Sequence, residues 1–313
     1  MKLLSIVLSF RNEEKNIPLI VHSIATNMKK VESWNYEIIF VNDASDDNSE
    51  IEILKLQKSF NIKLINMSRN FGISACVIAG FKYSKGDAII YMDTDMQDPP
   101  EIIPDLIKKY ESGFEVVHTR RVERLGEPIA KLRLTKIAYK IINYLSDIKL
   151  PIESGDFKLI SKKAVEHILK MNEKDPYIRG LSVWVGFNQS FYDYVRQPRA
   201  NGVSKFNFFS KNPYLEFLRA ITSFSSKPLY FGVFIGITTI LISLILICYS
   251  FTIKLFNMSA TGIPSLLIAI SFFSGIILIK LGIISLYLKR IFDQTKNRPE
   301  YIIKDIKDNK DDD

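Results

Sequence analysis

Cysteine is nearly missing from this chain: Cys76 and Cys248 are the two in 313 residues. Two cysteines so far apart make neither a disulfide framework nor a zinc site. Histidine is almost as scarce, and His22, His118 and His167 lack the spacing of metal ligands. No glycine-rich phosphate cradle occurs. G-x-x-x-x-G-K-[ST] and G-x-G-x-x-G are both absent, which excludes the P-loop and the common dinucleotide fingerprint. A secretory signal is also lacking, because "MKLLSIVLSF" is too short an apolar run and leads straight into "RNEEKN". Residues 1 to 200 are therefore expected to stay in the cytoplasm. The net charge of +8 is dispersed, with no recognition motif for nucleic acid, so no nucleic-acid partner is expected. The same charge suits a protein lying against anionic lipid headgroups.

Charge itself is missing from Leu229 to Phe251, and from Ile263 to Leu288 it is reduced to Lys280. The first stretch, as a helix rising 1.5 Å per residue, would run about 34 Å, enough to cross a hydrocarbon core of about 30 Å. Two buried helices of a soluble core are the alternative, but such helices nearly always keep a polar face. Two membrane spans are expected. Lys205, Lys211, Arg219 and Lys227 precede the first, Lys289, Arg290, Lys296 and Arg298 follow the second, and only Lys254 lies between. By the positive-inside rule both termini face the cytoplasm. Lys280 is expected to snorkel towards the cytoplasmic boundary.

Ahead of the spans, β-rich runs at 3–10, 36–43, 62–67, 87–93 and 114–119 alternate with helical patterns at 14–30, 47–59, 72–84 and 101–110. This order predicts a mostly parallel, Rossmann-like α/β sheet covered on both faces. Ligands bind such sheets at the carboxyl ends of the strands. Polar clusters fall there: "RNEE", "NDASDDNS", "SRNFG" and "DTDMQD". In the last, Asp93 and Asp95 could share a hard divalent cation that also takes oxygens from a substrate phosphate. Pro99 and Pro100 would stop the strand. Taken alone, D-x-D is a weak motif, and a solvated acidic turn is the commoner reading.

The surrounding words, in order along the chain, are "SFRNEEKNI", "FVNDASDDNS", "SRNFGISACVIAGF", "GDAIIYMDTDMQDPPEIIP", "SGDFKLIS", "IRGLSVWVGF", "ITSFSSKPL" and "YLKRIFDQTKNRPEYII". On these the chain resembles the bacterial polyisoprenyl-phosphate glycosyltransferases of the dolichol-phosphate-mannose-synthase type, within the family-2 GT-A glycosyltransferases. The resemblance covers almost everything except the acidic tail. It implies inverting transfer of a sugar from a nucleotide diphosphate donor, UDP-glucose, another UDP-sugar or GDP-mannose, with UDP-glucose the expected one, to polyprenyl (undecaprenyl) phosphate. It also implies a divalent cation, Mg2+ or Mn2+, an inner-membrane location, and self-association as a homo-oligomer. By position, Asp93, Asp95 and Gln97 would reach the metal. Ser9, Asn12, Glu13 and Asp43 would contact the nucleoside, with Lys205 closing over the donor. Asp156 sits at the catalytic aspartate, and Arg120, Lys131 and Arg133 match the loop that receives the acceptor phosphate. Ser9 and Arg11 depart from the proline and tyrosine of P-x-Y-N-E, Ala44 from a glycine, and Leu286 from a glutamate.

The implied organisation is a GT-A catalytic domain over 1–203, with a nucleotide-sugar half (1–112) and an acceptor half (113–203). Amphipathic interfacial helices follow over 204–228, where five phenylalanines mix with cations. Two transmembrane helices occupy 229–290 and a charged cytoplasmic tail fills 291–313, of which the end, "KDIKDNKDDD" (304–313), is expected to be disordered. A phosphomonoester is largely dianionic near neutral pH, its second pKa being about 6. Asp156 is therefore read as positioning the acceptor or stabilising positive charge on the sugar, ahead of proton abstraction. A processive synthase would need more spans and a Q-x-x-R-W word. A non-catalytic scaffold would be expected to lose D-x-D or Asp156, and transfer to another lipid or glycan is the remaining alternative.

Overall fold

The apolar runs of the first hundred residues are continuous rather than amphipathic, which suits strands buried on both faces. In the computed structural model, which describes residues 1–124, 129–151, 153–196, 211–255 and 262–309, they form β1 (Lys2–Phe10), β2 (Trp34–Asn42), β3 (Ile62–Met67) and β4 (Ala88–Asp93). Helices α1 (Ile17–Met28), α2 (Ser49–Gln57) and α3 (Ile73–Tyr83) connect them, and α4 (Ile103–Glu111) follows a single 3₁₀ turn at Pro100–Ile102. Pro18 and Pro104 stand in the first turns of α1 and α4, where a missing N–H costs nothing. Leu4, Ile6, Leu8, Ile38, Phe40 and Ile90 are fully buried in the core. On α3, Gly80 allows close approach to the sheet, because a Cβ there would run into the side chain of Val7.

Beyond these lie β5 (Val116–Arg124), α5 (Ile129–Leu145), β6 (Ser154–Ser161), α6 (Lys162–Lys170), α7 (Ile178–Trp184), β7 (Gln189–Arg196) and α8 (Lys211–Phe224). Long helices α9 (Lys227–Leu255) and α10 (Ile263–Thr295) precede a last strand, β8 (Ile303–Asp308). The sheet runs β7-β5-β6-β4-β1-β2-β3-β8. Neighbours β4, β1, β2 and β3 are parallel, as are β5 and β7, while β6 and β8 are antiparallel to the strands beside them. Reversal of β6 brings two aspartates to the same level. Tyr91 pairs with Lys158, so the chain entering β6 at Asp156 is level with the chain leaving β4 at Asp93.

One expectation fails. The tail is not disordered over 304–308, which with Ile303 completes the sheet against β3. Charges there that looked solvated have partners: Asp308 meets the buried Lys63 at 3.1 Å, Lys307 meets Glu50 at 2.5 Å, and Asp305 accepts from Asn66 at 2.7 Å. The open edge thereby passes from the apolar β3 to a charge-rich strand, which resists adventitious strand addition.

The chain divides into two compact units, one of residues 1–143, 148–223 and 298–313 and the other of 144–147 and 224–297. In the first, α8 falls inside the stretch expected to be interfacial, yet Ala220 and Ile221 are buried and Arg219 bonds Asp175 at 2.8 Å. The second contains α9 and α10, of 29 and 33 residues, both long and apolar enough to cross a membrane. Lys280 lays its stem over α9, so that a Cβ on Gly232 would lie 3.2 Å from it.

Candidate active site

Because β1 to β4 are parallel, their polar carboxyl-terminal clusters meet along one edge. There the Ser9 hydroxyl lies 2.9 Å from that of Tyr91, which donates to Asp93 at 3.2 Å. Asn12 accepts from the backbone N–H of Asp46 at 2.9 Å, and its own N–H donates to Ser45 Oγ at 3.0 Å, so it clips the loop after β1 to the loop after β2. Glu13 accepts from Asn16 at 2.6 Å. Asp43 uses both oxygens on the loop after β3, accepting from Asn70 at 2.8 Å, Phe71 N at 2.7 Å and Gly72 N at 3.1 Å. Ala44 holds φ at 57°, which costs a residue with a Cβ roughly 1 kcal/mol.

Asp93 ends β4, and Asp95 accepts from Gln97 N at 3.1 Å in a turn where Met96 holds φ at 62°. Burial, and then the charges of Asp98, Asp95 and Asp156, push Asp93 up to about 7 against the pull of Arg121. Asp98 is fully buried, with Oδ2 unpartnered. Such a concentration of carboxylate oxygen fits a hard divalent cation. Among the described residues no group of three or more His, Cys, Asp or Glu side chains is placed to hold a metal ion. A cation here would therefore complete its shell with water and substrate oxygens, as magnesium commonly does.

Two arginines to which the sequence alone assigns no role organise the rest. Arg179, from α7, grips Asp156 with Nε at 2.8 Å and Nη2 at 2.5 Å, while Nη1 donates to Tyr139 of α5 at 3.2 Å. Burial alone would raise the Asp156 carboxyl, but Arg179, Lys158 and Arg121 outweigh it and hold it well below the usual range. Arg121, from β5, reaches Asp98 at 3.4 Å and the Tyr194 hydroxyl at 2.9 Å, and Tyr194 donates to Asp98 at 2.5 Å. Gly155 makes room for it, since a Cβ there would sit 2.5 Å from Arg121 Nη2. Lys158 is buried beside this network, bonded to Ser182 at 3.1 Å. Burial, with Arg179 and Arg121, brings its ammonium down to about 8 despite Asp156.

Arg120 is not part of this cluster. It pairs bidentately with Asp193 of β7, both bonds at 2.7 Å, on the face opposite Arg121. Lys131 and Arg133 belong to α5, but their side chains lie outside the described residues, as does Lys205. The signals for Arg179 and Lys158 were present as single cations inside apolar words, "YIRGLSVW" and "FKLIS".

Residues 5–169 match the family model described as Glycosyl transferase family 2. The chain belongs to the family 2 glycosyltransferases. It is 39% identical over 308 residues to the "uncharacterized glycosyltransferase YkcC" of Bacillus subtilis (strain 168), covering 96% of this chain and 92% of that one. It is 36% identical over 304 residues to the SfII prophage-derived bactoprenol glucosyl transferase of Shigella flexneri, covering 96% and 97%. Among solved structures it is similar to glucosyl-3-phosphoglycerate synthase from Mycobacterium tuberculosis, crystallised with Mn2+, UDP-glucose and phosphoglyceric acid. That likeness has a TM-score of 0.52 at 15% identity over 71% of this chain and 78% of the other, and it marks the glycosyltransferase as a GT-A fold.

A buried histidine gives this glycosyltransferase a measurable acid limit. His118 is 1% exposed, stacks on Phe191 and bonds Gln189 at 2.9 Å. Burial, and then Lys158, bring it down to about 4 from 6.5, with the Gln189 bond opposing. The unfolded chain binds the proton first, so the contribution is fully present above pH 6.5 and is lost as pH falls towards 4. The loss should reach about 3 kcal/mol at 1.36 kcal/mol per unit. Thermal unfolding between pH 7 and 4 should show a shallower acid slope in His118→Gln. Identical slopes would contradict the assignment.

Proposed function

We propose that this glycosyltransferase moves a sugar, UDP-glucose being the donor, onto the phosphate of a membrane polyprenol to give a polyprenyl-monophosphate sugar. The observation that carries the reading is the bidentate grip of Arg179 on Asp156. A carboxylate held that firmly ionised is a poor general base. It suits an acceptor that is already an anion, as a phosphomonoester is, better than a neutral sugar hydroxyl. Near-full-length similarity to a bactoprenol glucosyl transferase supports the same acceptor.

In this reading Asp156 holds negative charge near the developing positive charge on the sugar. Asp93, Asp95 and Gln97 would hold magnesium or manganese, whose chemistry when bound is to offset charge on the departing diphosphate. Ser9, Asn12, Glu13 and Asp43 shape the nucleoside side, with Lys205 closing over the donor. Lys131 and Arg133 are the cations for the acceptor phosphate, since Arg120 is turned to Asp193 on the other face of β5. The apolar surfaces of α9 and α10 would lie in the bilayer, with self-association through them compatible. The pairing of β8 with β3 supports an even number of crossings, since both ends of the helical pair then return to the side of the catalytic sheet.

Purified protein in detergent, given undecaprenyl phosphate, Mn2+ and a panel of [14C]sugar nucleotides, should carry label into the organic phase from UDP-glucose, and chelation by EDTA should abolish the transfer. Label entering from another donor alone would correct the sugar. No transfer from any donor would favour a non-catalytic scaffold.

A further inference from the structure

We propose that Asp305, in the strand that follows the second long apolar helix, is a positioning residue for the donor side of the site. The register aligns Asn42, Asn66 and Asp305 across β2, β3 and β8. Their side chains form a continuous relay. Asn66 Nδ2 donates to Asp305 at 2.7 Å and to Glu50 at 3.2 Å, and Asn66 Oδ1 accepts from Asn42 Nδ2 at 3.0 Å. Asn42 Oδ1 then accepts from the backbone N–H of Ser45 at 2.9 Å. Ser45 Oγ in turn accepts from Asn12 N at 3.0 Å.

The direction of this relay is forced by chemistry. Two carboxylates at the β8 end accept only, so Asn66 must turn its NH2 towards them and its carbonyl towards Asn42. Asn42 must then present its own NH2 to Asn66, which leaves its carbonyl for Ser45. Both amides are buried, where a misdirected group loses its partner altogether. Lys307, two residues along β8, anchors Glu50 at 2.5 Å and so fixes the second acceptor from the same strand. The loop at 43–46 is thus oriented by a segment more than 250 residues later in the chain.

The functional part of this inference rests on the proposed use of Asn12 and Asp43 in donor binding, and its test separates the two. Hydrogen–deuterium exchange on the full chain in detergent should show faster exchange over residues 42–48 in Asp305→Ala. The rest of the sheet should be unchanged, as should the control Lys304→Ala. Asp305→Asn, whose amide oxygen can still accept, should restore protection. In the same variants the KM for UDP-glucose should rise about three- to tenfold in Asp305→Ala with kcat nearly unchanged, the size of one lost hydrogen bond. Unchanged exchange at 42–48, or faster exchange over the whole sheet, would overturn the positioning role. If the wild type transfers no sugar, the proposed function fails while the exchange result still decides the relay.

Discussion

Replacing Asp95 by alanine is expected to lower sugar transfer by roughly two to three orders of magnitude, the usual consequence of removing one preorganised electrostatic contact. Asp95 is half-buried in the turn after β4, where it accepts from Gln97 N at 3.1 Å. Alanine removes both the charge and that bond. Asp95→Asn keeps an oxygen for Gln97 N and removes only the charge. If the carboxylate serves a metal diphosphate, the two variants should be almost equally inactive. Both should retain the wild-type thermal midpoint within a few degrees, because a hydrogen bond contributes only about 0.5–1.5 kcal/mol. Mn2+ binding in the presence of UDP, followed by electron paramagnetic resonance, should weaken in step with activity. An active Asp95→Asn would return the motif to an acidic turn.

The second large effect is on stability. Arg121→Met should destabilise the catalytic unit by about 3–5 kcal/mol, because it leaves a buried carboxylate without its counter-charge. Asp98 has no exposed surface and Arg121 is 8% exposed, so water cannot take over the lost interaction. Tyr194 would still donate to Asp98 at 2.5 Å, but a neutral hydroxyl does not neutralise it. Adding Asp98→Asn to Arg121→Met removes the stranded charge and should recover most of the loss. That recovery is the diagnostic, since simple loss of packing would not be repaired by changing the partner. Gly155→Ala should reproduce part of the defect by pressing a methyl 2.5 Å from Arg121 Nη2. Chemical denaturation in detergent reads all of these.

The parallel half of the sheet was legible because its strands are continuous apolar runs ending in polar clusters, and each run lies close to the strand that it became. Asp93 and Asp95 were legible for the same reason: the motif is local. What stayed hidden depends on pairing at a distance. "IKDIKD" at 303–308 has no apolar face to read, and its partners Lys63, Glu50 and Asn66 lie about 240 to 260 residues earlier. The visible hint was Lys63, a lone cation inside the apolar β3. The grip of Arg179 on Asp156 likewise joins an α7 residue to a strand by a route with no periodic signature. Choosing between Arg120 and Arg121 required knowing which face of β5 each occupies. Burial does not separate the faces there, because His118 and Thr119 on opposite faces are both buried.

A transfer reaction with two isotopes tests the central claim most directly. UDP-glucose labelled with 14C in the sugar and 32P in the β-phosphate would be supplied with undecaprenyl phosphate and Mn2+. Transfer of the sugar alone predicts that 14C enters the lipid phase while 32P stays in water as UDP, and that neither moves with Asp95→Ala. Entry of both labels together would mean that a sugar phosphate is transferred, and would contradict the reaction derived from this site.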